Sequence, residues 1–295
     1  MSGRFGRVLT AMATPFTADG SLDLDGARTL AAHLFDNGTE AIVAAGTTGE
    51  SPTLTHDEKR ALFEAVIEVA RDRGRQVVCG TGTYSTAESI ALTAMAAEAG
   101  ADAALIVTPY YNKPPQRALI EHFRMIAAST SLPLIAYNIP GRTGTRIEHD
   151  TLLAMVESGS IVAVKDSTGD LDGVAKLVRE APEGFDIYSG DDWATFGYMC
   201  LGAAGVVSVA SHVVGNEIAE MAALLDQGEV AAARALHLRL QPVFAALFCT
   251  TSPIPLKAAL AMRGLPGGPL RPPMFEATDA EKAIVEGALK DAGVF

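Results

Sequence analysis

Cysteine is scarce in this chain: three in 295 residues, Cys79, Cys200 and Cys249, far apart and without a CxxC pair. So few thiols exclude a disulfide-built scaffold and a paired redox centre. They predict a reducing cytoplasm, with each cysteine packed as a small apolar side chain. The six histidines are scattered, none at metal-ligand spacing from another His or a Cys, so no metal is expected. There is no HExxH, no GxSxG elbow and no Gly-Lys of a phosphate-cradling loop, and Gly80-Thr81-Gly82-Thr83-Tyr84 is not GxGxxG. Positive charge is also short, 23 Lys and Arg against 35 Asp and Glu, a net charge of -12. That balance argues against nucleic acid and anionic membranes as partners, but a local basic cluster can still hold an anionic substrate. The uncharged stretch from Trp193 to Asn216 is broken by Gly197, Gly202, Gly205 and Gly215, and reads as a core helix–turn–strand, not a membrane span. Arg4 and Arg7 precede an apolar segment too short for a signal peptide.

Apolar residues, by contrast, make up 48% of the chain and alternate in kind. Strand-length runs occur at 8–13, 41–45, 76–80, 103–108, 133–138, 161–165, 185–189 and 205–209. Segments of helical period lie between them, at 24–35, 57–73, 87–99, 116–129, 148–158, 170–179, 191–201 and 216–226. Eight strand–helix pairs predict a (β/α)8 TIM barrel over residues 1–226. After Asp226 the strands cease. Helical segments at 229–248, 255–263 and 278–292, with the proline- and glycine-rich stretch 264–273 between the last two, predict a C-terminal helical domain over 227–295. Thr55 and Glu58 have capping-box spacing, and Gly38, Gly100, Gly159 and Gly202 stand where helices should stop.

A barrel carries its chemistry in the loops after the strands, so those loops hold the candidates. The sixth apolar run ends in Lys165, and apolar surroundings disfavour an ammonium, leaving an amine able to attack a carbonyl. The plainer alternative is a lysine that snorkels to water or pairs with Asp166. Gly46-Thr47-Thr48-Gly49-Glu50 follows the second run and brings N–H groups and hydroxyls together for a small carboxylate, or else is a tight turn. Tyr110 and Tyr111 sit in a proline-bounded loop after the fourth run, suited to an interface, to hydrogen bonding or to both. Tyr137 ends the fifth run with Arg142 five residues on, a proton-relay hydroxyl and a carboxylate clamp, or a core tyrosine and a solvated arginine. The seventh run leads to Gly190-Asp191-Asp192.

GTTGES, VTPYYNKP, YNIPGRTG, VKDSTGD and YSGDD, in this order and spacing, resemble the pyruvate-dependent class I aldolases of the dihydrodipicolinate synthase and N-acetylneuraminate lyase superfamily. The resemblance runs nearly end to end and is nearest to the lysine- and diaminopimelate-biosynthetic branch. It implies a lyase-class enzyme without cofactor or metal, assembled as a homotetramer, a dimer of dimers. Lys165 would form the Schiff base with pyruvate. Tyr137 and Thr47 would relay protons with Tyr111 from a neighbouring subunit. Thr48 would hold the pyruvate carboxylate, and Arg142 the carboxylate of L-aspartate 4-semialdehyde. Gly190 and Val207 would line the pocket with backbone. In lysine-inhibited members an asparagine stands where this chain has Tyr84, beside positions matching His56 and Glu88, so weak or absent lysine inhibition is expected. Two alternatives stand beside this: a sugar-acid or 4-hydroxy-2-oxoglutarate type aldolase of the same superfamily, and a non-catalytic barrel acting as sensor or scaffold.

Overall fold

The computed structural model describes residues 3–294 and contains a closed barrel of eight parallel strands in sequential order. The strands are β1 (Val8–Ala11), β2 (Ala41–Ala44), β3 (Gln76–Gly80), β4 (Ala103–Val107), β5 (Leu134–Asn138), β6 (Ala163–Asp166), β7 (Asp186–Ser189) and β8 (Gly205–Ser208). β1 pairs with both β2 and β8, which closes the ring. Around it run α1 (Leu24–Asp36), α2 (His56–Arg71), α3 (Thr86–Ala99), α4 (Gln116–Ala128), the short α5 (Pro140–Thr143), α6 (His149–Glu157), α7 (Leu171–Glu180), α8 (Thr195–Cys200) and α9 (Ser211–Asp226). Helices α10 (Val230–Ala246), α11 (Ile254–Met262) and α12 (Asp279–Asp291) follow. No helix among the described residues is long and apolar enough to cross a membrane.

The period of two along each strand divides its side chains between two cores. Leu9, Val43, Val78, Leu105, Ile135, Tyr137, Ala163, Tyr188 and Val207 form one cluster inside the barrel. Their neighbours Ile42, Val77, Ile106, Ala136, Val164, Ile187 and Val206 face outward, under the helices. Both faces of every strand are thus buried, which is why the strands read as unbroken apolar runs. Lys165 lies two residues beyond Ala163 on β6 and so points into the barrel.

Thr55 and Glu58 form the expected capping box at the start of α2, and Gly100 caps α3 in the left-handed conformation. Three expectations fail. Cys79 is buried, but Cys200 and Cys249 are exposed, so only one of the three cysteines packs as a core side chain. The seventh barrel helix is cut short: a turn over Asp192–Ala194 precedes α8, because the buried Asp192 side chain accepts hydrogen bonds from Val209 N (3.1 Å) and Ala210 N (2.9 Å). Helix α9 begins at Ser211, five residues before Asn216, and bends at Val214.

Candidate active site

The loops at the C-terminal ends of β2, β3, β4 and β5 enclose a cavity of about 200 Å³. Thr47, Tyr137 and Arg142 line it, with Ser51, Lys59, Thr83 and Tyr110. Lys165 is only 4% exposed, and its Nζ stands 4.1 Å from the centre of the Tyr137 ring. The register sets this contact, since Tyr137 and Lys165 are direct partners across β5 and β6, both facing inward. Among the described residues, the Lys165 side chain makes no hydrogen bond and no ion pair. Its neighbour Asp166 is turned away, accepting from the Tyr198 hydroxyl (2.8 Å) and from Thr168 (2.6 Å), so the Lys165–Asp166 pairing does not form. Asp191 and Asp192 feel the Lys165 charge: burial pushes both carboxyls up and the lysine pulls them down, at Asp192 after the hydrogen bonds from Ser208, Ala210 and Val209.

The structure brings Lys165, Tyr137, Thr47 and Arg142 to one mouth of the barrel. Arg142 sits in the short helix α5, where the sequence predicts a loop, and its Nη2 donates to Ser252 O at 3.4 Å. Asn138 holds that loop: its side chain donates to Ile147 O and accepts from Ile147 N, both at 3.0 Å. Thr48 is buried but does not line the cavity, and neither do Gly190, Val207 and Lys165, whose amine lies behind the Tyr137 ring that does. Gly190 has a steric role, since a Cβ there would meet Ser167 Oγ at 2.0 Å. Its N–H donates to Asp166 O at 2.7 Å, tying the end of β7 to β6. Tyr111 stays outside the cavity, 90% exposed and at φ 71°, a left-handed conformation that a tyrosine rarely adopts.

Sequence reasoning missed the support behind the Thr47–Thr48 loop. Glu50, also in the left-handed region, meets Lys257 of α11 at 2.6 Å with both side chains 2% exposed. Arg271 donates its N–H to Glu50 (2.9 Å), its guanidinium to Thr53 O (2.8 Å) and Gly20 O (2.9 Å), and pairs with Glu58. Phe16 lies between these cations, 4.4 Å from Lys257 Nζ and 4.2 Å from Arg271 Cζ. The C-terminal segment is therefore clamped onto the loop that carries the threonines. The only signals in the sequence were Glu50 at the end of a turn motif and an isolated lysine in an apolar helix.

The dihydrodipicolinate synthetase family model matches residues 4–292. A 4-hydroxy-tetrahydrodipicolinate synthase from Moorella thermoacetica is 51% identical over 291 residues, covering 99% of each chain. Among solved structures, DHDPS from Cyanidioschyzon merolae with lysine bound superposes with a TM-score of 0.97 at 43% identity, each chain fully covered. The chloride-inhibited dihydrodipicolinate synthase from Acinetobacter baumannii complexed with pyruvate gives 0.95 at 38% identity, covering 99% of this chain and 100% of that one. The barrel, the inward lysine and similarity over nearly the whole length of the chain agree: this chain belongs to the dihydrodipicolinate synthetase family.

Proposed function

We propose that this chain is a lyase of lysine and diaminopimelate biosynthesis that condenses pyruvate with L-aspartate 4-semialdehyde to 4-hydroxy-tetrahydrodipicolinate. The observation that carries the chemistry is Lys165, buried, its side chain unpaired among the described residues and 4.1 Å from the Tyr137 ring. Its amine attacks the pyruvate ketone and water leaves, giving a protonated imine that acts as the electron sink. Loss of a C3 proton gives the enamine, whose carbon attacks the aldehyde. The amine of the second substrate then adds to the imine carbon, closes the ring and releases Lys165.

Protons move through Tyr137 and Thr47, which face the same cavity, and through Tyr111 of a neighbouring copy. The outward, left-handed pose of Tyr111 supports that last assignment, because a side chain so exposed on its own chain is free to enter another. The assembly is then a homo-oligomer, a tetramer by resemblance, working in the cytoplasm. Thr48 holds the pyruvate carboxylate and Arg142 that of the semialdehyde, with the backbone at Gly190 and Val207 shaping the pocket wall. Tyr84 stands where lysine-inhibited members have asparagine, packed edge-on against Tyr110 at 5.3 Å, and lysine inhibition is weak or absent.

The test is condensation of the two substrates by the wild type beside the Arg142→Ala variant and beside sugar-acid cleavage. Condensation that collapses without Arg142 supports the reading. Pyruvate trapped on Lys165 without condensation would transfer it to another aldehyde acceptor.

A further inference from the structure

The residue after the inward lysine is almost as buried as the lysine and is held far more firmly. Asp166 closes β6 at 6% exposure, its side chain on the outer face of the barrel, opposite that of Lys165. One carboxylate oxygen accepts from the Tyr198 hydroxyl of α8 at 2.8 Å, from Thr168 N at 3.1 Å and from Thr168 Oγ1 at 2.6 Å. The other accepts from the Asn138 side-chain amide at 3.4 Å. Burial, and after it the Asp166 charge, keeps the Tyr198 phenol protonated and therefore a donor.

These partners flank the chemistry. Tyr137 and Lys165 pair across β5 and β6, and Asn138 and Asp166 are the next pair along. Backbone bonds reinforce the side chains: Gly190 N donates to Asp166 O at 2.7 Å, and Ser167 N to Asn138 O at 2.9 Å. The end of β6 is thus tied to β5, β7 and α8 through Asp166, while the lysine beside it hangs inward with no hydrogen bond of its own among the described residues. Side chains on the two faces of a strand turn together, so a twist that swings Asp166 also swings Lys165. The amine stands at the end of a long flexible stem, which magnifies a small turn of the strand at Nζ.

We propose that Asp166, held by the Tyr198 hydroxyl, is a positioning residue that fixes the twist at the end of β6 and so aims the Lys165 amine at the substrate carbonyl. This role rests on the Schiff-base reading of Lys165, and neither Asp166 nor Tyr198 touches a reacting atom. Pyruvate is bound by other groups, so the effect falls on attack by the amine and not on binding.

The experiment is rapid-quench borohydride trapping of pyruvate, beside steady-state condensation, on the intact wild type, Tyr198→Phe and Asp166→Asn. Thermal melting shows which proteins are folded. Tyr198→Phe keeps the buried ring and removes only the donor. In Asp166→Asn the new amide must face a donor whichever way it turns, because both carboxylate oxygens accept. Adduct formation in a single turnover should slow about tenfold in Tyr198→Phe and about 100-fold in Asp166→Asn, with the KM for pyruvate unchanged. A wild-type rate in folded Tyr198→Phe would overturn the proposal, whatever Asp166→Asn does. So would a raised pyruvate KM with the trapping rate at saturating pyruvate unchanged. If Asp166→Asn fails to fold, Tyr198→Phe decides alone. No adduct on wild-type Lys165 would instead remove the Schiff-base reading itself, whereas an adduct formed equally fast in all folded proteins sinks the positioning role alone.

Discussion

Lys165 and Lys257 are almost equally removed from water, at 4% and 3% exposure, and are held in opposite ways. Lys257 has Glu50 at 2.6 Å, the Pro269 carbonyl at 2.8 Å and the Phe16 ring at 4.4 Å. Burial pulls its affinity for a proton down and Glu50 pushes it back up. Among the described residues Lys165 has the face of Tyr137 and, through charge alone, Asp191 and Asp192. A lysine whose protons are shared among fixed acceptors is a strut, since freeing its lone pair would strand a buried carboxylate. One that meets an aromatic face beside a cavity has no fixed acceptor to strand, and its nitrogen is left for a substrate carbonyl. Burial alone does not separate the two roles; the list of partners does.

Substitutions at the two lysines should have opposite consequences for activity and stability. The largest effect belongs to Lys165→Ala, which should lower condensation by on the order of 10³-fold or more while the protein still melts cooperatively. Activity near wild type in a steady-state assay would remove Lys165 from the chemistry. Lys257→Met should do the reverse: stranding the Glu50 carboxylate should cost about 3–5 kcal/mol in denaturant unfolding. Adding Glu50→Gln should restore part of that loss, and a single variant as stable as wild type would show that the pair is not a strut.

Tyr111→Phe should lower turnover roughly 100-fold, at the low end of what a positioned proton donor supplies. Its melting temperature should stay put, because the side chain makes no contact that supports its own chain. Unchanged turnover would take Tyr111 out of the relay.

The smallest effect concerns pH. Arg271 holds the Glu58 carboxyl down at about 2, against an ordinary value of 4.5. A depressed carboxyl contributes stability that is complete above its unfolded value and is lost as pH falls through the folded one. The melting temperature should therefore decline between about pH 4.5 and 2 partly through Glu58, and less steeply in Glu58→Gln. Parallel curves for the two proteins would contradict this.

Much of the barrel was legible because strands buried on both faces leave apolar runs that side-chain polarity does not interrupt. β3 matches its expected span, and β6 starts two residues late because Ile161 packs outside the barrel against the helices. Helix ends with local signals, such as Thr55 with Glu58, were legible for the same reason. What stayed hidden depends on distant partners. Nothing near Asp192 announces that it caps the backbone after β8, so the helix expected from Asp191 begins late. Gly215 reads as a break in the sequence, yet α9 passes through it with a bend at Val214. Lys165, Tyr137 and Arg142 could be picked out because each closes or follows a strand. Glu50, Lys257 and Arg271 could not, because their meaning exists only once the C-terminal segment folds back over the second loop.

The most direct measurement is borohydride reduction of the protein in the presence of pyruvate, followed by peptide mapping. A single adduct is expected, on the peptide carrying Lys165. An adduct on Lys59 or Lys257, or none on Lys165, would contradict it.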